Sequence, residues 1–344
     1  MPLSPTARTS RKVGVLGASG FVGGELLRLL AGHPDLDLVV AGGDRQAGQP
    51  VATVHPHLAG CYPDLVLSAT DAAVADGLDV VFTALPHGAS SALVPDLVER
   101  AGLVVDLGAD FRLKVAGAYP IWYGQAHPAP ELLDGAVHGI PELFGAELPG
   151  ARLVAAAGCY VTAAALALAP LVRAGAVEPS GVIVDAASGV TGAGREPRAT
   201  THFATVDEDF VAYGLLTHRH TPEIEQATGA SVLFTPHLAP MNRGILATCY
   251  ARAVGGPDPL AVLADAYADS PFVLVSERPP STKAVLGSNM AHLSARIDPR
   301  TGWVVALAAI DNLVKGAAGQ AIQCANLALG LPETAGLPLA GLWP

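Results

Sequence analysis

The stretch that decides the fold of the first half is residues 12–32, Lys-Val-Gly-Val-Leu-Gly-Ala-Ser-Gly-Phe-Val-Gly-Gly-Glu-Leu-Leu-Arg-Leu-Leu-Ala-Gly. A β-branched run leads into a glycine turn and then into leucines at helical spacing, which predicts a strand, a turn and a helix. Gly17, Gly20 and Gly23 form the pattern G-x-x-G-x-x-G at that turn. Small residues there let a pyrophosphate approach the helix N-terminus. We therefore predict a dinucleotide-binding βα unit rather than a glycine-rich turn without a ligand.

The second strand of this unit, residues 36–41, ends at Gly42-Gly-Asp-Arg45. An NAD enzyme often places an acidic residue at this position to bind the ribose hydroxyls, whereas an arginine accommodates the 2′-phosphate of NADP. Both Asp44 and Arg45 are present, so the pattern favours NADP while leaving NAD open.

Further strand-like runs alternate with a helical segment near 90–100 and predict a doubly wound parallel sheet. Arg112 follows one of these strands, at the carboxyl edge where such sheets bind ligands. It is therefore a candidate anion clamp, and the alternative is a structural partner for Asp110. The predicted strands are 65–68, 79–85 and 103–107.

Cys159 ends the apolar run Leu153-Val-Ala-Ala-Ala-Gly158 and opens a helix-like stretch to Ala169. At a strand-to-helix turn, unpaired backbone N–H groups favour the thiolate over the thiol. We predict that Cys159 is a nucleophile, although many free cysteines are only small buried hydrophobes.

Two imidazoles, an arginine and a carboxylate stand within six positions in His218-Arg-His-Thr-Pro-Glu223. A His-x-His pair can ligate zinc, but no further His or Cys ligand stands at a fitting spacing, so no metal is predicted. General acid–base work beside a cysteine fits better, with His218 ranked before His220. The alternative is a surface pair beside a helix that starts at Pro222. His55 and His57, among prolines, are interpreted as loop residues.

The later part of the chain combines β-rich stretches with a single helical insert, 259–268, and predicts a mixed, largely antiparallel sheet. A glycine-rich loop, residues 189–195, follows a strand at 181–188. The last strand runs into an apolar helix from Asp311 that is expected to pack back on the first domain. The other predicted strands are 245–254, 272–276, 291–297 and 303–310.

Composition narrows the function class. The 344 residues suggest two domains, and a formal charge of -11 without a Lys/Arg cluster argues against nucleic-acid binding. No apolar stretch reaches the length of a membrane span, and the polar N-terminus, Met1 to Lys12, has no signal-peptide core. Four widely separated cysteines suggest neither disulfides nor zinc. A cytoplasmic enzyme without a membrane partner is expected.

Taken together, the motifs resemble those of the N-acetyl-γ-glutamyl-phosphate reductases, arginine-biosynthetic members of the semialdehyde dehydrogenase group. The resemblance covers nearly the whole chain and depends on the order of the motifs. They are Gly17-Ala-Ser-Gly-Phe-Val-Gly23, Ala84-Leu-Pro-His-Gly88, Gly108-Ala-Asp-Phe-Arg112, Gly158-Cys-Tyr160, Ser188-Gly-Val-Thr-Gly-Ala-Gly-Arg195, His218-Arg-His-Thr-Pro-Glu223 and Asp311-Asn-Leu-Val-Lys-Gly-Ala-Ala-Gly-Gln320.

The resemblance implies NADPH-dependent reduction of N-acetyl-L-glutamyl 5-phosphate to the 5-semialdehyde through a thioester on Cys159, with His218 or His220 supplying the proton. The small acyl-phosphate substrate is then held by Arg112, Tyr160, Arg195 and Glu223, the last of which either orients a histidine or binds the substrate. The implied cofactor contacts are Gly17, Ala18, Ser19, Gly20, Phe21, Val22, Gly23, Arg45, Ser188, Gly189, Gly192 and Asn312.

One departure from the family concerns the residues around the nucleophile. The family often has Asn-Pro before Gly-Cys-Tyr and Pro-Thr after it, whereas this chain has Ala156-Ala157 and Val161-Thr162. Without proline at an early helix position some rigidity is lost. The sequence therefore predicts the type of reaction more firmly than it predicts how the substrate fits beside Cys159.

Three other functions stay open. Aspartate-semialdehyde dehydrogenase and a reductase of carrier-protein-linked aminoadipyl or glutamyl phosphate share the cysteine chemistry. A catalytically silent NADP-sensing protein would not need Cys159, so the reactivity of that thiol separates it from an enzyme.

The predicted architecture is a Rossmann-type α/β domain, residues 1–157 plus 314–344, and an α+β catalytic and oligomerisation domain, residues 158–313, with the active site in the cleft. The resemblance also implies association through the sheet of the second domain, as a homodimer or homotetramer.

Overall fold

The computed structural model describes residues 10–344, so the polar N-terminus expected to lack a signal peptide lies largely outside the described residues. The first sheet has six strands, all paired in parallel. They are β1 (Arg11–Leu16), β2 (Leu36–Gly42), β3 (Val80–Thr83), β4 (Leu103–Asp106), β5 (Val137–Gly139) and β6 (Leu153–Ala156). Their order, β2-β1-β3-β4-β6-β5, reverses direction at β1, and ligands of such sheets bind beyond the strand ends at that point.

The second sheet has seven strands in the order β11-β12-β13-β10-β7-β9-β8. Four of its six pairings are antiparallel and two are parallel, which confirms the mixed, largely antiparallel sheet. The strands are β7 (Val182–Gly189), β8 (Val211–Ala212), β9 (Val232–Ala239), β10 (Ile245–Arg252), β11 (Val273–Val275), β12 (Ala291–Asp298) and β13 (Trp303–Ile310).

Helices cover the sheets and carry the site residues. The α-helices are α1 (Phe21–Leu30), α2 (Val51–Val54), α3 (Ala89–Arg100), α4 (Ala118–Tyr123), α5 (Pro141–Phe144), α6 (Cys159–Arg173), α7 (Phe203–Val206), α8 (His220–Thr228), α9 (Pro259–Ala266), α10 (Thr282–Val285) and α11 (Gly319–Ala328). A π-helix, Val314–Ala318, leads directly into α11.

The hydrophobic cores separate along the two sheets. The Ala- and Leu-rich helix α6 is buried along most of its length and packs with the inner face of the second sheet. Helix α11, although last in the chain, packs in the core of the first sheet together with α1. The chain therefore crosses between the two sheets after β6 and again after β13, and both crossings lie beside Cys159.

Some predicted elements differ from the observed ones. Residues 65–68 form isolated bridges to residues 50 and 42 rather than a strand, because they lie outside the sheet at its β2 edge. The short strand β5, the strand β9 and the helix α10 were not predicted. Among residues 10–344, no helix is both long and apolar enough to cross a bilayer.

Candidate active site

Cys159 is the first residue of α6, three residues beyond the end of the buried strand that precedes it. Gly158, the N-cap, is extended, and a Cβ built on it would lie 2.4 Å from His220 Nε2. Only glycine leaves room for that imidazole at the position preceding Cys159. The thiol itself is half-buried.

The two histidines lie together beside this turn. Their rings are 4.8 Å apart, and the backbone N–H of His220 donates to His218 Nδ1 at 3.1 Å. The Tyr160 ring packs against both imidazoles, while its hydroxyl donates to the His237 carbonyl at 3.0 Å and accepts from Tyr213. Tyr160 therefore supports the histidines, and its hydroxyl is committed to protein partners.

Burial holds the thiol and the imidazoles in their neutral forms. It raises the pKa of Cys159 to about 11, although the nearby Arg112 guanidinium acts in the opposite direction. It lowers the pKa of His220 to about 3 and that of His218 to about 4. The expectation that the helix N-terminus favours the thiolate is wrong for Cys159, because desolvation by burial raises the pKa of the thiol more than the backbone N–H groups lower it.

Glu223 is the buried carboxylate of the site, with no exposed side-chain surface. Its Oε1 accepts from the Gly158 N–H at 3.0 Å and lies 3.1 Å from His138 Nε2. Its Oε2 lies 3.6 Å from an Arg112 nitrogen. Burial alone would raise the pKa of Glu223, but Arg112 and His138 lower it to about 2, so the group stays ionised. Glu223 thus tethers the peptide before Cys159.

Arg112 is buried behind β4 and pairs with Glu223, while its guanidinium also donates to the Leu107 carbonyl at 2.8 Å. The alternative partner, Asp110, instead accepts from the N–H groups of Gly88 and Ser91 at the start of α3. Arg112 Nε is buried, and no residue in the described part of the chain forms a hydrogen bond with it. That free donor keeps the anion-clamp interpretation in place.

Three side chains that the sequence interpretation missed form a cluster around Tyr123, which lies within electrostatic reach of Arg112. The Tyr123 hydroxyl is buried without a hydrogen-bond partner among residues 10–344, and burial raises its pKa to about 12. The Arg219 guanidinium lies over the Tyr123 ring at 5.5 Å, and the His87 ring packs on it at 4.7 Å beside Asp110. His87 and Arg219 lie inside two of the quoted motifs, and this position could have identified them as site residues. Nothing in the sequence singles out Tyr123.

The glycine turn after β1 shows why its residues are small. Gly17 has φ +86°, and a Cβ there would lie 2.3 Å from the Ala84 carbonyl oxygen; one on Gly23 would lie 2.2 Å from the Gly17 oxygen. Helix α1 begins after Gly20 with no side-chain cap and no acidic residue in its first turn. Its first N–H groups are thus free to receive an anion.

Other predicted cofactor residues flank this turn. Ser19 donates weakly to the Gly43 carbonyl, Ala18 and Val22 pack inward, and Phe21 is partly exposed at the cleft. His55, interpreted as a loop residue, is buried and lies 2.8 Å from the Ala18 carbonyl oxygen. His55 therefore contacts the glycine turn and helps to hold it in place.

Arg195 is placed differently from the prediction. Its guanidinium donates to the carbonyls of Ser19 and Val54, each at 3.0 Å. The structure thus brings Arg195 to the cofactor turn and ties the second domain to it, rather than to Cys159 or Arg112.

Ser188, Gly189, Gly192 and Asn312 come together where β7 and β13 end. Asn312 accepts from the Gly244 N–H at 2.8 Å and donates to Thr191 at 3.0 Å, while a Cβ on Gly192 would lie 3.1 Å from Ser188 Oγ. A cleft of about 260 Å³ separates this group from α1. Its lining includes Phe21, His57, Thr191, Arg243 and Leu313.

Arg45 lies at the far end of the turn, in a short 3₁₀ segment after β2. Its side chain is 86% exposed and forms an exposed ion pair with Glu196 at 3.4 Å. No group of three metal-ligating side chains occurs within residues 10–344. Cys249 and Cys324 are buried in the cores, and Cys61 is exposed.

Two family models match the chain: "Semialdehyde dehydrogenase, NAD binding domain" over residues 12–151 and "Semialdehyde dehydrogenase, dimerisation domain" over residues 159–312. The N-acetyl-gamma-glutamyl-phosphate reductase of Symbiobacterium thermophilum is 51% identical, over 96% of this chain and 98% of the relative. That of Salinispora arenicola is also 51% identical, over 97% and 99%.

Among solved structures, aspartate semialdehyde dehydrogenase II of Vibrio cholerae superimposes with a TM-score of 0.70 over 93% of this chain and 98% of its own. At 15% identity this likeness concerns the fold alone. The two-sheet architecture is thus that of a semialdehyde dehydrogenase.

Proposed function

We infer the activity from a family relationship: the chain belongs to the semialdehyde dehydrogenase family, among its N-acetyl-γ-glutamyl-phosphate reductases. It reduces N-acetyl-L-glutamyl 5-phosphate to N-acetyl-L-glutamate 5-semialdehyde and phosphate, with NADPH as reductant, in arginine biosynthesis. The observation that carries this proposal is the half-buried thiol of Cys159 at the start of α6, with an imidazole packed against the preceding glycine.

Cys159 attacks the carbonyl carbon of the acyl phosphate. The new C–S bond replaces the C–O bond to phosphate, inorganic phosphate leaves, and a thioester forms on the enzyme. Because the resting thiol is protonated, a base must take its proton during attack. We assign this role to His220, whose Nε2 lies against Gly158, rather than to His218, which the sequence interpretation ranked first.

The same imidazole can then serve as the acid. NADPH, when bound, supplies the hydride that reduces the thioester carbonyl. His220, holding the thiol proton, gives it to the oxygen on which negative charge develops, and collapse of the thiohemiacetal releases the aldehyde and returns Cys159. A neutral resting histidine suits this exchange because it can accept a proton before it donates one.

The anionic substrate is held at the Arg112 side of the site. Within the described residues, Arg112 Nε and the Tyr123 hydroxyl are buried donors without protein partners, and Arg219 adds a second cation beside Tyr123. The nearby carboxylate of Asp110 is already engaged by His87 and by backbone N–H groups at the start of α3. Two guanidiniums and two unused donors suit a phosphoryl group better than a neutral acyl chain.

The cofactor residues fit a dinucleotide diphosphate. The uncapped start of α1, with no room for side chains at Gly17 and Gly23, offers backbone donors to the pyrophosphate. The exposed Arg45 is available for a 2′-phosphate, which favours NADPH. Ser188, Gly189, Gly192 and Asn312 would hold the nicotinamide end across the cleft.

We further propose a homodimer or homotetramer in the cytoplasm. The matched dimerisation domain supports association, and the outward face of the second sheet carries the partly exposed Leu233, Leu274 and Ile297. The four cysteines are all free thiols, as in a reducing compartment.

The test is the reverse reaction, with N-acetyl-L-glutamate 5-semialdehyde, phosphate and either NADP or NAD, followed by the absorbance of the reduced cofactor. We expect phosphate-dependent activity with NADP that falls by at least about 10⁴-fold in Cys159→Ser. Cys249→Ala, at a buried thiol remote from the cleft, is the control and should retain activity.

Each other outcome selects a different function. Activity with aspartate semialdehyde or a carrier-linked aldehyde, but not with the N-acetyl substrate, would overturn the substrate assignment and keep the chemistry. Loss of activity with all three, together with NADP binding, would favour the sensor.

A further inference from the structure

The segment that follows β13 passes the nucleophile as a π-helix. The Gly316 N–H donates to the Asp311 carbonyl at 2.9 Å and the Ala318 N–H to the Leu313 carbonyl at 2.8 Å, both five residues back. Asp311 also caps the turn by accepting from the N–H groups of Leu313 and Val314. A π-turn in an otherwise α-helical run is uncommon, and such turns are found frequently at functional sites.

Gly316 lies directly against Cys159. A Cβ built on Gly316 would lie 2.8 Å from Cys159 Cβ and 3.3 Å from its Cα. Real Cβ atoms do not approach that closely, so any side chain here would displace the nucleophile or the turn. The backbone of the π-turn thus forms the wall on which Cys159 rests.

Lys315, the preceding residue, anchors the turn on another side. Its side chain is fully buried, with Nζ 2.5 Å from Glu142 Oε1 and 2.8 Å from Gln323 Oε1. Gln323 donates in turn to Glu142 at 2.9 Å, and the ammonium lies 5.7 Å from the Phe272 ring centroid. These partners come from α5, α11 and the loop before β11, so the ammonium joins three elements around the π-turn.

A buried ion pair is rarely the most stabilising choice for a core, because desolvation offsets the attraction. Its best-attested use is to fix the register of packed elements, since a shifted register would leave a charge unpaired. A one-residue shift from π to α geometry would rotate both Lys315 away from Glu142 and Gly316 away from Cys159.

We propose that Lys315 and Gly316 are positioning residues of the active site: the Lys315–Glu142 pair fixes the π register, and the Gly316 backbone then seats Cys159 for attack. This proposal depends on the proposed function in one respect only, which is the substrate used in the turnover assay. The reactivity of the Cys159 thiol tests it without any choice of substrate.

The experiment compares Gly316→Ala with two glycine controls. Gly102→Ala should also clash with backbone, 2.6 Å from the Asp79 oxygen, but in the first domain; Gly145→Ala meets nothing within 4 Å. We expect Gly316→Ala to lower kcat on the order of 10²-fold and to slow iodoacetamide alkylation of Cys159 at least about 10-fold, with the KM for NADPH unchanged. Both controls should keep wild-type alkylation rates, whatever Gly102→Ala does to Tm.

Equal slowing in Gly316→Ala and Gly102→Ala would overturn the proposal, because the effect would then follow stability alone. If Gly316→Ala does not fold, the paired variant Lys315→Met with Glu142→Leu removes both charges while filling the core. Slow alkylation in a folded paired variant would support the register role, and a wild-type rate would refute it. A changed alkylation rate in an enzyme without the expected reverse activity would refute only the proposed substrate.

Discussion

The two ends of the cleft differ in what forms them: glycines and backbone at one end, and buried polar side chains at the other. At the cofactor end, where we propose that the dinucleotide binds, Gly17 and Gly23 leave no space for side chains, and the start of α1 has no side-chain cap. At the cysteine end, Glu223, Arg112 and His220 are buried side chains held by one another. The structure of the first end therefore depends on small residue volume, and that of the second depends on buried charges that compensate one another.

The largest expected effect is at the charged end. Glu223→Leu leaves the buried Arg112 without its counter-ion and the Gly158 N–H without its acceptor, so we expect a loss of about 3–5 kcal/mol in the free energy of unfolding. Chemical denaturation measures it. Glu225→Leu on the same helix, where the carboxylate is only half-buried, is the control and should cost less.

Glu223→Gln removes the charge of this side chain and leaves its size almost unchanged. The carboxylate raises the pKa of Cys159, so its neutralisation should lower that pKa and speed alkylation at neutral pH, even as turnover falls. An unchanged alkylation rate would show that the Glu223 charge does not reach the thiol.

The cofactor end should respond to volume instead of charge. Gly23→Ala places a Cβ against Gly17 and Ala18 backbone, and we expect about 1–3 kcal/mol of destabilisation with a KM for NADPH raised at least about 10-fold. Gly32→Ala, just past the end of α1, is the control, because a Cβ there meets nothing within 4 Å. Equal effects of the two substitutions would contradict a turn limited by space.

The last comparison uses pH to separate the two ends. Burial lowers the folded-state pKa values of His220 and His218 from 6.5 to about 3 and about 4. Below pH 6.5 the unfolded chain therefore binds protons that the folded chain does not, and stability falls as the pH drops toward 4. The loss is up to about 1.4 kcal/mol per pH unit for each proton.

His220→Gln should make the free energy of unfolding less dependent on pH between 6.5 and 4.5, as measured by denaturation at several pH values. The exposed His57→Gln is the comparison and should leave the wild-type slope. A slope that His220→Gln does not change would mean that His220 is protonated in the folded enzyme.

The sequence indicated the close packing of the glycine turn more completely than the arrangement around Cys159, and the reason is physical. Glycines act locally, so their spacing between a strand and a helix shows their role. Glu223 acts on Gly158 and His138, which lie 65 and 85 positions away along the chain, and no local pattern shows such pairing. Cys159 and the histidine pair were visible as residue types, but not their arrangement.

Three differences have distinct causes. The thiol was expected to ionise because its place at a helix N-terminus can be recognised from the neighbouring sequence. The burial that opposes ionisation comes from the whole fold. Arg195 was expected at the substrate because it lies in a family motif, yet its long side chain reaches the carbonyls of Ser19 and Val54. The π-turn at Gly316 depends on Glu142, from a distant helix, and has no sequence pattern of its own.

The neutral resting state of Cys159 has a consequence for the life of the enzyme in the cell. Peroxide oxidises thiolates, and the first product, a sulfenic acid, can proceed to irreversible forms. A thiol with a pKa of about 11 exposes only a small thiolate fraction between turnovers. In the proposed mechanism the thiol stays unreactive until a substrate and a base are both in place, and we expect peroxide to oxidise Cys159 slowly between turnovers.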